Sequence, residues 1–320
     1  MIKLLKSLIK GKDKEENANS KEQKNFEILK YDGMRAQRIG RMDYAIKCFT
    51  SAIELQEDFE VLSYLSQIYT QTGEISKAKE TITRMVELEP SLINPYLNLA
   101  NICYMQEEYD EMATAAQNAI RLEADNDMAF YLLAKANHGK NDEINAIVNL
   151  TKAITLKPEF IDALLMRAEI LLGMRQHKEA MEDVTAVLQL NAEEEHALLL
   201  RGKIKEATGE AEEAEKDFRT ITAMNPFNEQ AYICLGQLYI EQKKIPEAIE
   251  LFDEAIELNP NSAQAYYERG RAKLLNGDKE GSTEDMKMSL QLNPKNEEGI
   301  NGEYNYQKSK IDSGLRSMLG

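Results

Sequence analysis

The sequence predicts an all-α fold, an array of short helix pairs in which each pair stacks on the next. Three observations predict it. A phrase of 34 residues recurs along the chain, most clearly at residues 229–260. There Tyr232, Gly236, Ala248, Phe252 and Pro260 are answered 34 residues later by Tyr266, Gly270, Ser282, Met286 and Pro294, and 34 residues earlier by Leu198, Gly202, Ala214, Phe218 and Pro226. Two slots of the phrase are almost always small, and one slot near its end is Pro in five copies. A fixed period of this length marks a repeat architecture, in which a unit buries its apolar face only against its neighbours.

Eight copies can be placed, starting at Phe26, Phe59, Ile93, Asp127, Ile161, Glu195, Glu229 and Ala263. Each supplies a first helix, A, and a second helix, B. Position 8 reads Gly33, Ser66, Ala100, Ala134, Ala168, Gly202, Gly236 and Gly270; position 20 reads Ala45, Ala78, Met112, Ala146, Ala180, Ala214, Ala248 and Ser282. These slots fall where helices A and B cross, and small side chains there let ridges pack into grooves. Positions 4, 7, 11, 24 and 27 are expected to fill the core. Pro90, Pro158, Pro226, Pro260 and Pro294 at position 32 cannot continue a helix and so close helix B. Near position 15, Gly40, Gly73, Gly209 and Gly277 suit a left-handed cap on helix A. Asn141 tolerates that conformation at the same slot, whereas Glu107, Arg175 and Lys243 are expected to end helix A differently.

This pattern resembles the tetratricopeptide repeat (TPR): a large residue at 4, Leu at 7, Gly or Ala at 8, Tyr at 11, Ala at 20, an aromatic at 24, Ala at 27 and Pro at 32. The resemblance covers residues 26–296. It implies a right-handed α-solenoid, a superhelix of helix-turn-helix repeats, with helix A lining the concave side. It also implies that positions 2, 5, 6, 9, 12 and 13 face the groove. Position 5 then presents Leu97, Tyr131, Leu165, Leu199, Ile233 and Tyr267 as apolar anchors through repeats three to eight. Position 6 adds Leu132, Met166, Leu200 and Cys234, flanked by Asn98 and Glu268, and position 12 adds Tyr104, Leu172, Ile240 and Leu274. Position 9 supplies Asn101 and the cations Lys135, Lys203 and Arg271, which could orient a ligand's acidic groups. A continuous apolar stripe of this kind would suit an amphipathic helix or an extended apolar segment of a partner.

The rest of the chain bounds the function. The repeats leave residues 1–25 as a leader and polar linker and 297–320 as a C-terminal capping helix (about 297–310) and tail. A net charge of −16, from 39 basic and 55 acidic residues, opposes binding to phosphate backbones, so no nucleic-acid partner is expected. Three scattered cysteines, Cys48, Cys103 and Cys234, argue against a disulfide framework and for a reducing, cytoplasmic setting; Cys103 reads as core and Cys234 as more open. In the leader, Ile2, Leu5, Leu8 and Ile9 share one helical face with Lys3, Lys6 and Lys10 elsewhere, a pattern that could touch an anionic membrane or a partner.

Some sharper functions fail on residues. TPR co-chaperones hold chaperone C-termini with a five-residue carboxylate clamp. Only Lys30 matches it, and Met34, Tyr64, Asn94 and Asn98 do not. There is no Gly-rich phosphate loop, nucleophile elbow or metal-binding spacing, and His138, His177 and His196 lie in different repeats. The reading is a non-enzymatic scaffold for a protein or peptide partner, with no cofactor and no metal. The alternatives are a membrane-peripheral assembly factor tethered by residues 1–12 and an accessory subunit of a separately encoded enzyme.

Overall fold

Seven of the eight repeat starts read from the sequence coincide with the first residue of a helix in the computed structural model, which describes residues 21–294. The leader, most of the linker and the expected C-terminal cap lie outside the described residues. Among the described residues there are sixteen helices and no strand. They fall into two compact units that divide between Ala163 and Leu164.

The first unit holds α1 (21–38) with α2 (Met42–Leu55), α3 (Phe59–Gln71) with α4 (Ile75–Leu88), α5 (Ile93–Met105) with α6 (Tyr109–Leu122), and α7 (Asp127–Gly139) with α8 (Glu143–Leu156). Helix α9 (Ile161–Gly173) starts at its end. The second unit continues with α10 (His177–Leu190), α11 (Glu195–Ala207) with α12 (Ala211–Met224), α13 (Glu229–Glu241) with α14 (Ile245–Leu258), and α15 (Ala263–Leu275) with α16 (Lys279–Leu292).

Each turn between helices A and B is built alike. The N–H at position 16 donates to the carbonyl at position 11, as in Glu74 to Tyr69 (2.8 Å), Glu108 to Cys103 (2.9 Å) and Lys244 to Tyr239 (2.8 Å). This six-to-one hydrogen bond puts position 15 in the left-handed region. Gly40, Gly73, Gly209 and Gly277 adopt it with φ of 76–88°. The expectation that Glu107, Arg175 and Lys243 end helix A differently is corrected: they take φ of 58°, 61° and 62°, and Asn141 takes 59°. The hydrogen bond sets the turn, and the side chain accommodates it. Helix B ends two residues before position 32, with Asn225, Asn259 and Asn293 extended at the C-cap. The next helix A is capped by a side chain where the last residue of the repeat allows it: Asp58 accepts from Val61 N–H (2.9 Å), Asn126 from Ala129 (2.9 Å) and Ser262 from Ala265 (3.2 Å).

The two small slots meet as expected. All eight position-20 residues, including Met112, are fully buried. In three of the four repeats with glycine at position 8, position 24 is phenylalanine; Gly270 instead faces Met286. A Cβ on Gly33 would lie 2.6 Å from the Phe49 ring, one on Gly202 2.4 Å from Phe218, and one on Gly236 2.5 Å from Phe252. Where position 8 is Ser66, Ala100, Ala134 or Ala168, position 24 is Ile82, Ala116, Leu150 or Val184. Volume is thus exchanged across the crossing, as dense packing requires.

Position 7 departs from an apolar core residue in four repeats, as Asp32 in the first and as arginine in three others. Arg167, Arg201 and Arg269 each form a two-pronged ion pair with the position-23 carboxylate of the same repeat, Asp183, Asp217 and Asp285, at 2.6–2.9 Å. Lys205 and Lys273 at position 11 join the second and third pairs at 3.0 and 2.9 Å. The carboxylates are buried, and two cations or a forked guanidinium offset their lost hydration.

Two outcomes test these packing statements. Gly202→Ala should cost about 1–3 kcal/mol by overpacking, and Gly202→Ala with Phe218→Leu should cost less than the two single changes summed. Urea denaturation of the four proteins measures this, and simple additivity would show that the two side chains do not share space. Replacing Glu107, Arg175 and Lys243 together by Gly should raise the melting temperature, because each relieves a left-handed backbone penalty of about 1 kcal/mol. A fall in melting temperature would contradict the strain.

Candidate partner-binding site

In the first unit, the A helices of repeats two and three hold a recess of about 420 Å³ between α3 and α5. Four amide side chains line it: Gln67 and Gln71 from α3, Asn98 and Asn101 from α5. Ile82, Ile102 and Met105 add apolar surface, with Ser66 and Thr70 between. Asn98 and Asn101 are exposed, and Asn101 spends one N–H on the Leu97 carbonyl (3.1 Å), which leaves its oxygen and second N–H outward. Leu97, one turn before Asn101, is half-buried.

Further along the unit, Lys135 is folded onto aromatic rings. Its ammonium lies 3.6 Å from the centre of Tyr104 and 5.7 Å from that of Tyr131. Tyr131 in turn packs on Phe160, with ring centres 4.9 Å apart. Burial lowers the Lys135 pKa below the usual lysine value, against the pull of Asp162, and burial pushes Tyr131 up to about 12. The expected role of Lys135 as a free cation is corrected: the chain's own tyrosines hold it, in a cation–π arrangement. Tyr104 remains 42% exposed beside it. Lys30, the one residue matching the carboxylate clamp, is likewise taken, by Asp58 (3.1 Å) and Glu60 (2.7 Å).

The second unit overturns the exposed apolar stripe. Leu165 is 6% exposed, Leu199 9% and Ile233 1%, so these three expected anchors are core. Leu200 and Cys234 are buried with them, as is Leu132 in the first unit. The stripe fails because consecutive A helices lie against each other and close over position 5 and much of position 6. Tyr267 and Met166 are half-buried. Glu268 is buried, accepting from Gln237 (2.8 Å) and from Arg271 (2.6 Å), so Arg271 too is engaged within the chain. Lys203 is half-buried near Glu206, whose carboxyl is pushed up to about 7 by burial and then by Glu241, against Lys203. Burial raises the Cys234 thiol as well, contrary to the expectation that this cysteine is open.

Titratable clusters elsewhere are internally satisfied. Cys103, Glu108 and Glu111 bring ligand atoms within 4.8 Å of one another. Lys79 places its ammonium on both carboxylates at 2.5 and 2.6 Å, so the cation of this trio is the chain's own. His138 pairs with Glu143 at 2.8 Å, His196 is exposed and His177 opens α10. No helix among the described residues is long and apolar enough to cross a membrane.

The recurrent helix pair with a small-residue crossing and a six-to-one turn defines a helix-turn-helix repeat protein. Family models agree on which one: one described as "Tetratricopeptide repeat" matches residues 165–229 and one described as "TPR repeat" matches 236–277. The chain is a tetratricopeptide-repeat protein of about eight repeats. No curated protein sequence matches it. Among solved structures it is similar to a tetratricopeptide repeat protein from Parabacteroides merdae, with 20% identity over 73% of this chain and 93% of that one, and a TM-score of 0.65. It is also similar to a chain of the APC/C hetero-tetramer Cut9–Hcn1, with 15% identity over 79% of this chain and 50% of that one, and a TM-score of 0.60. These likenesses are of fold.

Glu206 gives the second unit a pH signature. Its pKa in the fold is raised from 4.5 to about 7, so the unfolded chain gives up this proton at lower pH than the folded one. Its stabilising contribution is complete below pH 4.5 and is lost as pH rises through 7. Glu206→Gln should therefore flatten the fall in melting temperature across that interval; an unchanged pH profile would show the carboxyl to be ordinary.

Proposed function

We propose that this chain is a non-enzymatic protein–protein interaction scaffold of a reducing, cytoplasmic compartment, and that it holds an extended segment of a partner on the A helices of its first unit. The amide recess of Gln67, Gln71, Asn98 and Asn101 carries the reading. An extended peptide offers alternating N–H and C=O groups. A carboxamide is the side chain that donates and accepts at once, so four of them in one recess match a backbone whatever its sequence. Ile82, Ile102 and Met105 then provide an apolar seat for one side chain of that segment. The exposed Tyr104 ring, one helical turn beyond Asn101, extends the seat.

Compared with the apolar stripe read from the sequence, this site is more polar and more local. It keeps Asn98 and Asn101, with Leu97 at its edge. The cations Lys135 and Arg271 are engaged within the array.

Selection of peptides from a random library on the full chain, followed by titration of the selected peptides, tests the site. Asn98→Ala with Asn101→Ala should weaken binding by about 10- to 100-fold, the loss of one or two good hydrogen bonds. Melting should stay unchanged, since both residues are exposed. Undiminished binding by the folded double variant would place the partner elsewhere.

A further inference from the structure

The seventh repeat fills the gap between successive repeats with its own tyrosine. Tyr239, at position 11 of α13, reaches back to α12, where its hydroxyl donates to Glu215 (2.8 Å) and accepts from Arg219. Lys244 lies 4.6 Å from its ring centre and completes the cover. Tyr69 holds the same slot in the second repeat and is buried in that unit's core with Ile46.

The sixth repeat has Lys205 at this slot, and its ammonium turns the other way, to Asp217 (3.0 Å) and Glu213 (3.7 Å) of α12. The space it leaves between α10 and α11 is a cavity of about 710 Å³, lined by His177, Met181, Thr185, Ala186 and Ile204 among others. Met181 and Thr185 stand one repeat before Glu215 and Arg219, so the wall that receives the Tyr239 hydroxyl is less polar here. The lining is not wholly apolar: Thr185 keeps a hydroxyl there, and Gln189 and Thr208 stand beside it.

We propose that this cavity is a binding site, separate from the amide recess, for the phenol side chain of a tyrosine from a partner chain. Its volume falls within the few hundred to about 1,000 Å³ of ordinary ligand sites. The neighbouring repeat shows that the geometry between a B helix and the next A helix takes a tyrosyl ring. A phenol hydroxyl both donates and accepts, so it can pair with the hydroxyl of Thr185, which stands where Arg219 meets the Tyr239 hydroxyl one repeat later.

The test uses the full chain with methyl-labelled methionines, titrated with N-acetyl-Gly-Tyr-Gly-amide and, in parallel, with p-cresol. Both should shift the Met181 methyl resonance saturably, with a midpoint on the order of 1 mM, as expected of so small a ligand. Lys205→Tyr supplies the missing ring from within, and Thr185→Leu fills the cavity from the other wall without touching an ion pair; either should abolish the shift. The remaining methionine signals report whether each variant stays folded. Failure of both probes to shift Met181, or equal shifts in the filled variants, would overturn the site. Binding of p-cresol without the peptide would overturn a partner's tyrosine as the occupant.

Discussion

The close crossing of helices A and B within each repeat is the constraint on which the rest of the structure depends. Gly33, Gly202 and Gly236 bring the helix backbone within contact of a phenylalanine ring, and the wholly buried position-20 residues meet them from helix B. Once the two helices are this close, the turn between them has little freedom. The six-to-one hydrogen bond and its left-handed residue follow, even where that residue is Glu107, Arg175 or Lys243. Local preference yields to the packed pair because one strained residue costs about 1 kcal/mol, while a buried phenylalanine contributes several times that.

The same closeness explains how polar groups enter the core. Arg167, Arg201 and Arg269 occupy a slot where an apolar side chain was expected, and each is tied to a buried aspartate sixteen residues on. Each pair ties helix A to helix B of one repeat, and Arg269 also reaches back to Asp253 of the repeat before it. Where a lysine joins at position 11, as Lys205 does, the clasp takes that side chain away from the neighbouring repeat. Polar pairing inside one unit and empty space beside it are then two sides of one substitution.

Helix boundaries were legible because they rest on short-range physics: proline at position 32, small residues at 8 and 20, and a turn that glycine often fills. Seven helix starts fall on the residues where the periodicity put them. The binding face was much less legible. Whether Leu165, Leu199 and Ile233 are surface or core depends on how tightly one A helix lies against the next, which a period does not encode. The fates of Lys135 and Arg271 were hidden for a related reason: their partners, Tyr104 and Glu268, come from another repeat and from an adjacent turn. Asn98 and Asn101 were legible as surface positions, and both are exposed. Their joining with Gln67 and Gln71 becomes visible only when two A helices are set side by side.

The three cysteines have a practical meaning. Cys48, Cys103 and Cys234 are all buried and unbonded to one another, two of them in the first unit and one in the second. Burial holds Cys103 at about 11 and raises Cys234, so neither is a ready thiolate in the folded chain. A thiol reagent can reach them only when the surrounding repeats open. The chain therefore carries its own clocks for local unfolding, and the labelling rate of each cysteine reads how often that stretch of the array breathes.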